Sequence, residues 1–171
     1  MMGFVPLAVA VFAVTGAAAV TDWRMRRIPN WITVPAAILG VAYHAMFPGG
    51  SGILFALSGF AVGFLLLLLP YILGGGGMGD VKLLAALGSW LGPYWILVAL
   101  AAGTVFAAVS ALVMLVMGKS VAWQPKPVVA LPARNARNGR KPRVKKALPF
   151  AIPLALGTWL MMGLLLVRGG F

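Results

Sequence analysis

The chain has 171 residues, of which 62% are hydrophobic and 9% charged, and its mean hydropathy is +1.01. These values exclude a soluble globular domain, and the long apolar stretches lack the alternation of a membrane β-barrel, which leaves an all-α, polytopic membrane helical bundle. Fourteen Lys and Arg against two acids give a net charge of +12, read here as an orientation signal and an attraction to anionic lipid head groups rather than to nucleic acid.

The first apolar segment, residues 3–20, is about one bilayer long, and its positive charge follows it in Asp22-Trp23-Arg24-Met25-Arg26-Arg27. A cleavable signal peptide carries its charge before the apolar run, so this segment reads as a retained span with an outer N-terminus and a cytoplasmic basic cluster. Ile28-Pro29-Asn30 breaks the chain and starts a second span over 31–47. Pro48-Gly49-Gly50-Ser51 is a turn. The third span, 53–73, carries Gly59 and Gly63, a spacing of small residues that favours close helix packing.

The glycine run 74–79 then leads to Asp80 on the same face of the membrane as Asp22. The apolar segment after it, 81–91, is short, roughly 16 Å at helical rise against a hydrocarbon core of about 30 Å. Trp90, Gly92-Pro93, Tyr94 and Trp95 read as an outer aromatic belt around a turn, and a fifth span covers 96–117. Residues 118–147 hold nine basic residues and no acid, and nothing there can form a core, so a mobile cytoplasmic loop in contact with lipid is expected. A sixth span, 148–167, leaves the C-terminus outside. The whole chain reads as one membrane domain of about six transmembrane helices. On that topology thirteen of the fourteen basic residues face the cytoplasm: three after Asp22, Lys82, and nine in the long loop.

Asp22 and Asp80 are the chain's two acidic residues. Each has a plain structural explanation, Asp80 as the N-cap of the following helix and Asp22 in a surface ion pair. Together they gain weight, because a carboxylate near the membrane is costly and the long polar loop holds none. Two carboxylates about 4 Å apart repel by about 4 kcal/mol at an effective dielectric near 20, so that one keeps a proton while the other stays ionised. That division of labour suits an aspartic protease, in which one acid activates water and the other protonates the peptide carbonyl. Other chemistries fail on inventory. His44 sits near the outer end of the second span, an interfacial aromatic on the wrong side, so that a Ser–His protease would need it with Ser51 at the outer face. No cysteine is present, two acids without a nearby histidine fall short of a metal site, and Gly79-Asp80-Val81-Lys82 is not a phosphate loop. The glycines read either as a linker or as room for an extended substrate backbone beside Asp80. A non-enzymatic scaffold or small transporter with structural aspartates is the rival class, although a transporter would more naturally hold its acids near the bilayer midplane.

Three stretches carry a family resemblance. Asp22-x-Arg24-x-Arg26-Arg27-Ile28-Pro29-Asn30, Gly77-Met78-Gly79-Asp80-Val81-Lys82-Leu83 and Pro149-Phe150-Ala151-Ile152-Pro153-Leu154 resemble the type IV prepilin peptidases, aspartic proteases of the GxGD class. The resemblance implies a protease of the bacterial inner membrane that needs no cofactor or metal and removes the leader of pilin precursors at the cytoplasmic face. One aspartate comes from each motif, here Asp22 and Asp80, with Gly77, Met78 and Gly79 as the active-site loop. It is closest to the small members that serve tight-adherence (Flp-type) pili. Larger members add a segment with paired cysteines and methylate the new N-terminus. This chain has no cysteine and begins its first span at once, so methyltransferase activity is not expected. Trp23 stands where a leucine is expected. Lys82 or Arg24 is expected to meet the acidic residue that such pilins carry just after the cleavage point.

Overall fold

The computed structural model describes residues 4–25, 27–46, 51–73, 77–117 and 151–168, which form five helices and, among these residues, no strand. They are α1 (Phe4–Met25), α2 (Asn30–Met46), α3 (Ile53–Ile72), α4 (Met78–Val116) and α5 (Ala151–Arg168). The turn at 48–50, the glycines 74–76, Arg26, the basic stretch 118–147 and Pro149-Phe150 lie outside the described residues. By length and composition α1, α3, α4 and α5 can each cross a membrane, and α2, at 17 residues, sits at the lower limit of a span. Large apolar side chains such as Leu54, Leu65, Leu69 and Val116 point outward, as expected where the surrounding solvent is lipid.

The predicted limits of α2 and α3 hold to within a residue or so. Pro29 stands just ahead of α2 and its carbonyl accepts from the Ile32 N–H at 3.1 Å. The first helix, by contrast, does not stop near residue 20 but runs on through Asp22 and Arg24 to Met25, since no breaker occurs before Ile28-Pro29. Asp22 is therefore a helical residue, aimed by the helix rather than by a loop.

The fourth and fifth predicted segments, expected as separate spans joined by a turn, are two helices that meet at a kink and are numbered together as α4. A straight helix of 39 residues would reach almost 60 Å, about twice the hydrocarbon core. The helix is broken at Gly92 (φ 75°, ψ 177°), followed by Pro93. A positive φ is open to glycine at little cost, and the space left by its missing side chain is taken by the Phe55 ring. The part before the break is the centre of the bundle: Val81 and residues 83–92 are all buried.

Small residues let the backbones close around this centre. A Cβ on Gly59 would run into the Gly88 carbonyl, and one on Gly63 would lie 2.5 Å from the Leu84 carbonyl oxygen, so the expected close approach through Gly59 and Gly63 is made against α4. Gly157 of α5 lies equally close to Gly103 beyond the break. α1 is held on α5 by Trp159, whose Nε1–H donates to Thr15 Oγ1 at 2.8 Å, while the Thr15 hydroxyl donates back to the Val11 carbonyl at 2.7 Å.

Trp90 and His44 do not belong to an aromatic belt. Trp90 is buried and its indole N–H donates to the Ala36 carbonyl at 2.8 Å. His44 is buried too, with Nδ1 accepting from the Ser51 N–H at 3.2 Å, so that Nε2 is the ring donor to the Trp90 carbonyl at 2.9 Å. With Tyr43 and Phe55 stacked edge-on against it, the imidazole pins the joined ends of α2 and α3 onto α4. It is a structural bracket, and Ser51 meets it through a backbone amide.

Candidate active site

Asp22 comes from the last turns of α1 and is 8% exposed. Asp80, partly buried, comes from the first turn of α4, and the two carboxylates are near enough for each to feel the other's charge. Two acids 58 positions apart in sequence thus share one site, because α1 and α4 pack with the C-terminal end of one beside the start of the other.

Asp80 is not the N-cap. Gly77 occupies that position in extended conformation with no side-chain cap bond, and Asp80 is the third helical residue. Its carboxylate accepts from the Gly77 N–H, the reach-back half of a capping box. The plain explanation and the functional one therefore coexist: the bond that satisfies a free amide at the helix start also holds the carboxylate in one orientation.

The two glycines of the loop serve different neighbours. A Cβ on Gly77 would lie 3.1 Å from Asp80 Oδ2, so this glycine leaves room for the acid itself. A Cβ on Gly79 would lie 3.2 Å from Ile28 Cβ and 3.4 Å from the Ile28 nitrogen. The space at Gly79 is filled by the segment linking α1 and α2, which corrects the expectation that it stands open to a substrate backbone. Ile28, which is buried, thereby ties the chain just after Asp22 to the chain just before Asp80.

Met78, partly buried, opens α4 between these glycines. Arg24 is exposed, one half-turn from Asp22. Lys82 is not brought to the acids. Two helical positions after Asp80 it points about 200° around the helix, and its Nζ donates to Asn30 Oδ1 at 3.0 Å.

One contributor escaped the sequence reading. The backbone N–H of Ala151, the first residue of α5, donates to Asp22 Oδ2 at 3.3 Å across 129 positions. A free amide at a helix start is well suited to a carboxylate. Ala151 lies in a stretch that carries the family resemblance, but nothing in its apolar side chain marks a backbone donor.

Comparison with known proteins gives one finding. Searches of curated proteins and of solved structures return no match. The sequence model of the type IV leader peptidase family matches residues 9–112, a stretch that contains both aspartates and the glycine loop. Covering well over half of the 171 residues, this match makes the protein a membrane-embedded member of the type IV leader peptidase family.

Proposed function

We propose that the protein is a GxGD-type aspartic endopeptidase that removes the leader of type IV prepilins, of the Flp kind, with Asp22 and Asp80 as its catalytic pair. The observation that carries this reading is the convergence of the chain's two carboxylates from α1 and α4. In the reaction the pair shares one proton. The ionised carboxylate takes a proton from water as its oxygen attacks the scissile carbonyl carbon, and the protonated carboxyl gives its proton to the carbonyl oxygen. Collapse of the tetrahedral intermediate breaks the C–N bond, and the leaving amine takes up the proton held by the first acid. Bound by Gly77 and Ala151 amides respectively, Asp80 and Asp22 start this sequence already oriented.

Counting α4 as two passes about its break at Gly92, the chain crosses the bacterial inner membrane six times, with both termini outside and the acids at the cytoplasmic face. The whole of 1–171 acts as one peptidase domain, without methyltransferase activity. Met78 and the extended Gly77 border the approach to the acids, and Arg24, exposed beside Asp22, meets the acidic residue of the substrate.

Co-expression with a prepilin, following leader loss by mass, tests the assignment. Asp22→Asn and Asp80→Asn each accumulate in the membrane at normal levels and each lose cleavage by at least about 10³-fold, the scale seen when a catalytic group that acts as part of a unit is removed. Normal accumulation with retained cleavage in either variant would overturn the dyad.

A further inference from the structure

Between α2, α3 and the floor of α4 lies a cleft of about 650 Å³, apart from the acid pair, bordered by Thr33, Val34 and Ile38 of α2, Leu57 and Phe60 of α3, and Lys82 of α4. Its shape follows from how the hairpin is pinned. The α2 and α3 ends that meet are tied by the Gly52 N–H to the His44 carbonyl at 3.2 Å and by the His44–Phe55 ring contact, whereas the Asn30 end of α2 carries Lys82 in the gap. Val34, Ile38, Leu57 and Phe60 are exposed, so the cleft opens sideways to the bilayer.

Apart from Thr33, the lining holds a single polar side chain, Lys82, at one end. Asn30 accepts from its Nζ, but an ammonium carries three donors, which leaves capacity for an anion. One α-helical turn further in, Thr33 is 2% exposed and its Oγ1 has no hydrogen-bond partner, in a setting where a buried polar group ordinarily has one. From that point the α2 wall continues through Ala37 and Val41 as purely apolar surface for about 12 Å. The order along the cleft is cation, then hydrocarbon, with the Thr33 hydroxyl buried beneath its surface.

We infer that this cleft is a binding site for one anionic phospholipid, its phosphate on Lys82 and an acyl chain laid along α2 beside Leu57 and Phe60. A chain of net charge +12 enriches such lipids around itself. The apolar segment of a peptide substrate is the poorer occupant, because Lys82 and the cleft lie on the side of α4 turned away from Asp80. The site rests on the membrane embedding of the chain and stands apart from the peptidase reading.

The test is native mass spectrometry of the full chain in mild detergent micelles containing equal amounts of dioleoyl phosphatidylglycerol and dioleoyl phosphatidylcholine. The wild-type protein retains one phosphatidylglycerol, preferred about fivefold, the factor one basic residue contributes at an anionic surface. Lys82→Gln removes the preference. Ala37→Phe, which fills the floor, abolishes retention. Equal retention of the two lipids by the wild type, or undiminished retention in Ala37→Phe, overturns the proposal. So does an Ala37→Phe protein that keeps its lipid but shows a raised KM for prepilin, an outcome that would give the cleft to the substrate instead.

Discussion

Replacing Gly77 by alanine separates two uses of that glycine. Its backbone (φ −96°, ψ 138°) lies in the extended region open to any residue, so alanine adds no local strain and, by stiffening the unfolded chain, contributes about 0.4–1 kcal/mol of stability. The new Cβ, however, would stand 3.1 Å from Asp80 Oδ2 and 3.9 Å from Cγ, and the carboxylate must yield by a few tenths of an ångström. A misplacement of about 1 Å costs about 10²-fold in rate, so on a logarithmic scale a shift of about 0.3 Å is worth roughly fourfold. Gly77→Ala therefore lowers kcat about fourfold while the thermal unfolding midpoint stays level or rises slightly. The assay is leader removal from a prepilin in detergent micelles, resolved by mass with kcat and KM determined separately, alongside unfolding followed by circular dichroism. A raised KM at unchanged kcat would assign the glycine to substrate approach. Both constants unchanged would refute the idea that the carboxylate's placement limits the rate.

Arg24→Glu, at an exposed position, leaves stability within about 0.5 kcal/mol but slows cleavage several-fold; an unchanged rate removes Arg24 from substrate contact. His44→Ala breaks one buried and one part-buried hydrogen bond and strands the Trp90 carbonyl, so the protein loses roughly 2–4 kcal/mol, while kcat of the folded fraction, measured by active-site titration, stays at the wild-type value. Loss of kcat in well-folded His44→Ala protein would make the imidazole catalytic after all. Gly59→Val drives a side chain into the Gly88 carbonyl and costs at least about 1–3 kcal/mol, whereas Gly163→Ala, with open space around it inside α5, stabilises by about 0.5–1 kcal/mol; the two are compared by unfolding midpoint in the same detergent.

The acid pair was legible because two carboxylates in so apolar a chain have few reasons to exist, and charge asymmetry put both on one face before any contact was known. Gly59 and Gly63 were legible too, since their spacing repeats on one helix face and small residues in a membrane helix usually face another helix. Trp90 and His44 were misread because an aromatic beside Gly-Pro looks alike at a membrane interface and in a core. What decides is a partner such as the Ala36 carbonyl, 54 positions away, and no local pattern encodes it. The same applies to Gly79, whose open side is closed by Ile28. Side-chain chemistry announces itself in a sequence, whereas backbone donors do not, which is why the Ala151 amide was missed.

That amide also bears on when the enzyme becomes an enzyme. Both aspartates and the glycine loop are made and can enter the bilayer while residue 151 has yet to be synthesised, so the Ala151 amide reaches Asp22 last. The site is completed only once α5 docks against α1. The Ala151–Asp22 hydrogen bond thus links the last helix to be made to the first, and its formation reports that the bundle has closed.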